Sequence, residues 1–415
     1  MFPIVLAFMN GDMMHRAEGD IDEYFSDLGN GQRITSLEIF RARVGFEVTE
    51  GQSFSKIVEH FWQASCAASM ISSINRFSGQ RDTKDANKFI SKKLSTLTDR
   101  FLLSDVTTED LERIMAMHVR LQTVPTSRLM LGWLTKSVSR MNDLTDDWFK
   151  ENFDHFTKLG VYPQDEFINA WWKNMRDRIH AFSPVDQYRI LYKMAQFDFL
   201  RTQDFGDMYA DIPSPCREVA EYIFAVIEPR THILFPQHIN NQVFFAGLWF
   251  GKDFVQGIPI AGDDTSQASI LEGKVAESIG KTSSIHVDPT GIIVPVTGHK
   301  IDLRLMHKQI EYGCEVDGIS HFNRMSGATP TENAVLYNTS TRFHSWLSAQ
   351  YLTGINILRV PYFLFDEKAR GLPWEKTLSA INRKEGNSIY AWHGASIKRD
   401  LRAEKNAHLF RGHDL

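Results

Sequence analysis

A chain of 415 residues, 43% hydrophobic and 23% charged, has globular averages and enough apolar material for two or three domains. Its net charge of −5 and pI near 6.3 exclude a global basic field, so any nucleic-acid contact must come from local patches. Cys66, Cys216 and Cys314 lack paired spacing, which argues against a disulfide framework or a zinc site and for buried thiols in a reducing compartment.

Residues 1–52 read as an N-terminal segment. The apolar stretch from Phe2 to Met9 is far short of the roughly 20 residues a spanning helix needs, so no membrane span is expected. Glu18, Asp20, Asp22 and Glu23 set this segment apart from an Arg-rich, acid-poor organellar presequence. From 53 to 77, Phe54, Ile57, Val58, Phe61, Trp62 and Met70 predict one or two helices, read as the first members of a helical array over 53–262.

Between about 86 and 204 the chain repeats itself. A shift of 38 residues superposes Leu129 on Phe167, Gly132 on Ala170, Trp133 on Trp171, Phe153 on Leu191 and Leu159 on Phe197. The same step relates Thr107, Thr145 and Ser183, each ahead of a helical apolar pattern, as repeated N-caps. A fixed period in this range marks an α-solenoid, whose helical hairpins bury their apolar faces only by stacking on neighbours. Trp133, Trp171, Phe153 and Phe156 recur at core positions and are read as core and not as base-stacking platforms. Contact with RNA is assigned instead to the polar faces, where Lys136, Arg140 and Arg178 stand, although such a stripe is often only solvated.

Prolines punctuate 205–262, where one more helical hairpin is expected, and Gly262 to Ser266 reads as a domain boundary with a helix N-cap. Short β-rich runs follow at 285–287, 292–296, 301–305 and 314–316, then a helix over 331–352 and a strand over 356–362. The tail 371–415 interleaves Lys398, Arg399 and Arg402 with aromatic residues; it reads either as an RNA-contacting segment or as a solvated helix over about 396–410.

The most informative stretch is Cys314-Glu315-Val316-Asp317-Gly318-Ile319-Ser320-His321-Phe322. Alternation along a strand puts Glu315 and Asp317 on one face, where no ordinary core strand benefits from paired acids. This run resembles the E-V-D-G-P-S-H-F signature of the RAP domain. Lys300-Ile301-Asp302-Leu303, Gly327-Ala328-Thr329, Arg342, Leu347 and Leu358-Arg359-Val360-Pro361-Tyr362 follow the same family pattern in order, over about 263–370. The helical period ahead of it is similar to octotricopeptide and FAST-kinase-like repeats.

The resemblance implies an RNA-binding module with a PD-(D/E)XK nuclease-like α/β fold. In that superfamily three acids hold a divalent metal, and Asp302, Glu315 and Asp317 are the corresponding positions here; magnesium would be needed only if they cleave RNA. The superfamily's lysine is missing, since Asp317 occupies its place, and Lys308 or Arg342 would have to substitute. The alternative is a degenerate fold that keeps its acids to cap turns and to pair with His321 or Arg359. His321 reads either as a ligand or base or as a structural hydrogen-bonding residue.

The expected architecture is thus an α-solenoid followed by an α/β RAP domain. It implies binding of ribosomal RNA or an organellar transcript through the array and a cleft near His321, Arg342 and Arg359, with no small-molecule cofactor. Ribonucleoprotein or mitoribosomal partners and a mitochondrial matrix location follow from the family, with a plastid as the variant. Two other readings stay open: a magnesium-dependent endoribonuclease using Asp302, Glu315 and Asp317, and a secreted bacterial effector acting through protein interaction.

Overall fold

The computed structural model describes residues 53–77, 98–209, 211–227, 237–252, 269–294, 297–318, 321–325, 335–352, 355–361, 374–381, 389–393 and 396–401. Two compact units divide the chain, Met1–Leu94 and Ser95–Leu415. In the first, Phe54–Phe77 forms helix α1, with Phe54, Ile57, Val58, Phe61 and Ala64 buried at helical spacing.

The second unit opens with helices α2 (Thr98–Leu103), α3 (Thr108–Arg120) and α4 (Ser127–Ser139), with the short strand β1 (Thr123–Val124) between the last two. Helices α5 (Asp146–Leu159), α6 (Asp165–Met175), α7 (Pro184–Tyr209), α8 (Pro215–Ile227) and α9 (Gln237–Phe250) follow. The starts of α3, α5 and α7 at 108, 146 and 184 are 38 residues apart, as are those of α4 and α6 at 127 and 165. Each expected cap is made: Thr107 accepts from the Asp110 amide at 3.1 Å, Thr145 from Trp148 at 3.1 Å and Ser183 from Asp186 at 3.1 Å. Trp133, Trp171 and Phe156 are 0% exposed and Phe153 1%, so the aromatic repeat is core, knitted by ring contacts such as Phe153–Trp171 at 4.9 Å. Gly132 holds its small position because a Cβ there would meet the Leu102 side chain.

Next come helix α10 (Ile270–Gly280) and strands β2 (Ile285–Asp288), β3 (Ile292–Ile293), β4 (Lys300–Ile301), β5 (Leu303–His307), β6 (Ile310–Asp317), β7 (Phe322–Met325) and β8 (Val335–Tyr337). Helix α11 (Thr339–Tyr351), strand β9 (Asn356–Pro361), helix α12 (Trp374–Ala380) and strands β10 (Ile389–His393) and β11 (Ser396–Leu401) complete it. The main sheet has the order β11-β10-β9-β6-β5-β2. Strands β2, β5 and β6 run antiparallel in sequence, β9 lies parallel to β6, and β10 parallel to β9. One face carries Leu303, Leu305, Tyr312, Cys314, Val316, Leu358 and Val360 under Val275 and Ile279 of α10 and Trp374 and Leu378 of α12. The alternate residues of β6 and β9 point to the opposite face, which α11 and the β3–β4 hairpin cover: a Cβ on Gly313 would touch Ile301 and Ile292, and Arg359 reaches Ser345.

Three sequence expectations change here. Residues 335–337 are strand, because β8 pairs with β7 before the helix that Asn338 caps. Residues 396–401 are strand β11, held by antiparallel pairing to β10, where a helix was one of the two expected states; 402–410 lies outside the described residues, as does the expected boundary near 262. The cap of α10 is Ser269, not Ser266, because only Ser269 has a glutamate three residues on, Glu272, to close a capping box.

The helical part and the sheet meet directly. Strand β1 pairs in parallel with β7, Thr123 opposite Arg324, so a three-stranded β1-β7-β8 sheet is shared between them. The carboxylate of Asp204 on α7 receives both terminal nitrogens of Arg342 on α11, at 2.8 and 2.6 Å, in a pair whose side chains are 1% and 6% exposed. Tyr192 hydrogen-bonds His344 at 2.7 Å, and Gln196 donates to Ser340 at 2.7 Å. At the end of α5, Gly160 takes φ +73°, where a Cβ would come within 2.9 Å of the Tyr337 carbonyl.

Candidate functional site

Register places the three acids together. Leu303 lies opposite Cys314, so Asp302, just ahead of β5, sits beside Glu315, and its Oδ2 accepts the Val316 amide at 2.7 Å. Glu315 and Asp317 share the α11 face of β6, as alternation requires. Each acid is turned to a different partner. Glu315 Oε1 meets His299 Nε2 at 2.9 Å, the histidine being presented by the β3–β4 hairpin.

Asp317 is saturated. Its Oδ2 accepts Arg359 Nε at 2.9 Å and the Tyr337 hydroxyl at 3.2 Å, and its Oδ1 accepts a second Arg359 nitrogen and His321 Nδ1, the latter at 2.9 Å. Four donors fill the four lone-pair directions a carboxylate offers. Burial alone would raise this carboxyl, but Arg359 and then His321 hold it below the usual carboxylate range. Arg359 is 2% exposed, also donates to Ser345, and packs over the Tyr337 ring at 4.7 Å.

This geometry bears on two expectations. Among the described residues no group of three or more His, Cys, Asp or Glu is arranged to hold a metal ion, and Asp317 has no oxygen left to give one. Of the trio Asp302, Glu315 and Asp317 assigned to metal and catalysis, the first two are neighbouring acids, and Asp317 lies in a buried ion pair with Arg359 that His321 also joins. Second, Arg342 and Arg359 were expected to line a cleft, yet both are buried in internal ion pairs that an RNA phosphate could reach only by breaking the core. His321 differs: its side chain is 40% exposed at the end of the motif.

Asp302 is perturbed the opposite way from Asp317. Burial first, and then the charge of Glu315, raise its carboxyl to about 8, against the pull of the Val316 amide. A folded-state value raised above the unfolded one costs stability as pH rises from about 4 toward 8. Asp302→Asn keeps an acceptor for Val316 and removes the repulsion. The variant is expected to match wild type near pH 4 and to exceed it by about 1–3 kcal/mol at pH 8, read from urea melts across that range.

The basic stripe of the array is built differently from its expected form. Lys136 Nζ donates to the Ser104 carbonyl at 2.9 Å, Arg140 pairs with Asp105 at 2.6 Å and Arg178 with Asp146 at 2.5 Å. Arg140 and Arg178 are equivalent by the 38-residue step and clasp the turn that starts the preceding helix pair. An incoming phosphate would have to displace a carboxylate from each. Lys398 and Arg399 lie on β11, in register with Ala391 and Tyr390 of β10, and Arg402 lies outside the described residues. Sequence reading missed a further group of cations, Lys158, Arg189 and Lys193. Their signal was a pair of i, i+4 spacings, Asp154–Lys158 and Arg189–Lys193, on two different helices.

Compared with known proteins, the chain matches no family model and no curated sequence. No helix among the described residues is long and apolar enough to cross a membrane.

Proposed function

We propose that this is an RNA-binding protein in which helical repeats and a RAP-type domain act together in organellar RNA metabolism, as a stabilising, processing or assembly factor or as a component of an organellar ribosome. The observation that carries the reading is the placement of the motif Glu315–Phe322. It leaves the central strand β6 beside antiparallel β5, with Asp302 just ahead of that strand, and ends at His321, whose side chain is 40% exposed, next to β7, which pairs with β1 of the helical part. On this reading the helical pairs are a short α-solenoid, supported by helix starts spaced 38 residues apart, and the sheet is a nuclease-type α/β layer, supported by β2, β5 and β6 running antiparallel with β9 parallel to β6. The saturated Asp317 supports binding without cleavage.

The mitochondrial matrix is the compartment proposed, and ribosomal RNA or an organellar transcript the ligand. Filter binding of the full chain to structured and single-stranded RNA tests it. The expected result is affinity that falls steeply with salt; lack of salt-dependent binding to any RNA, or to ribosomal particles, would retire the reading.

A further inference from the structure

Helices α5 and α7 pack side by side and bring a set of cations to one place. Lys158 lies in the last turn of α5, and Arg189 and Lys193 stand one turn apart on α7. Lys193 Nζ donates to Thr157 at 2.9 Å and pairs with Asp154 at 2.7 Å, so its head lies against the last turn of α5 beside Lys158. Lys158 and Arg189 are exposed, and among the described residues neither has a carboxylate partner. Asp154 is thus one carboxylate among three cations, with Glu151 a turn earlier on α5 and drawn toward Glu112.

The crowding is unfavourable to the protein alone. Burial first, and then Lys158 and Arg189, disfavour the charge on Lys193 against the help of Asp154. Burial, Lys158 and Arg120 push His155 down to about 4, and its Nδ1 is buried without a hydrogen-bond partner. Like charges gathered at a cost, with an orphaned polar atom among them, are suited to an anion that arrives from outside.

Position adds the second argument. Asn323 of β7 donates to the Lys158 carbonyl at 2.6 Å, and along an extended chain two residues, about 7 Å, separate it from His321. The α5 end of this cation group therefore adjoins the His321 end of the Glu315–Phe322 motif. An extended polyanion could run from one to the other.

We propose that Lys158, Arg189 and Lys193, where α5 packs against α7 and its end meets β7, form the seat for the phosphate backbone of RNA, with His321 at its far end. This rests on the RNA-binding reading and gives that reading a surface. The partner is a polynucleotide because the cations come from two packed helices and adjoin the motif end, so that successive phosphates of one chain could meet them.

The test is fluorescence anisotropy of the full chain with a labelled mixed-sequence single-stranded RNA, from low to moderate salt. Lys158→Glu with Arg189→Glu is compared with a control reversal at two other exposed lysines, Lys173→Glu with Lys274→Glu. Loss of two phosphate contacts is expected to weaken binding by at least about tenfold and to flatten the logarithmic salt slope by about 1.4, with the control near wild type. Lys158→Gln with Arg189→Gln, which avoids placing acid at a helix C-terminus, should lose affinity in the same direction with an unchanged melting curve. If wild type binds and the patch variants bind as well as the control, the seat is wrong and the RNA reading survives. If wild type binds polyglutamate but no RNA, both fall.

Discussion

Replacing Arg359 with methionine is expected to lower stability by about 3–5 kcal/mol, because it strands the Asp317 carboxylate in the interior. Asp317 is 0% exposed, and Arg359 supplies two of its four donors. The loss should depend on pH with a definite sign. The Asp317 carboxyl is depressed in the folded state, so its contribution is present above the unfolded value of about 4 and disappears as pH falls below that. The gap between Arg359→Met and wild type is therefore full at pH 7 and narrows in acid, where a neutral Asp317 tolerates the missing partner. Urea melts at pH 7 and pH 3.5 measure both values; an equal gap at the two would contradict the assignment. Arg359→Met with Asp317→Leu should recover part of the loss, since an apolar pair leaves no buried charge.

The second large effect lies at the joint between helices and sheet. Arg342→Ala is expected to cost about 3–5 kcal/mol, by leaving Asp204 buried and unpaired on α7 and removing the guanidinium packed over Phe199 at 5.6 Å. Because α7 and α11 also share the Tyr192–His344 and Gln196–Ser340 bonds, wild type should unfold in one transition across the helices and the sheet. Arg342→Ala should pull that transition apart or shift it whole to lower urea. Tryptophan emission follows the helices through Trp133 and Trp171 and the joint through Trp346, and far-ultraviolet dichroism follows both. A variant within about 0.5 kcal/mol of wild type would show that the pair contributes little and that the aromatic contacts hold the joint.

How much of this was legible depended on the range of the signal. Thr107, Thr145 and Ser183 were readable as caps because a cap is a local bond between a hydroxyl and an amide three residues on. Trp133 and Trp171 were readable as core because periodicity reports burial. Glu315 and Asp317 were correctly placed on one face of a strand, since alternation is geometric. What each acid holds was open, because the choice between a metal and Arg359 depends on β9 lying parallel beside β6, 42 residues away. Lys136, Arg140 and Arg178 were taken for a contact stripe because their partners, 32 and 35 residues back, stand in the turn before the preceding pair. The strand at 396–401 shows the same limit: its short run fits a helix equally well until β10 fixes it from outside.

The pairing of β1 with β7 has a consequence for synthesis. Thr123 leaves the ribosome 201 residues before Arg324, its register partner, so at about 5–20 residues per second it waits on the order of 10–40 s. During that interval the helix pairs have all they need to collapse by local contacts, while a two-residue ribbon among them keeps an open hydrogen-bonding edge. The nascent chain thus carries a half-built seam until β7 emerges to close it.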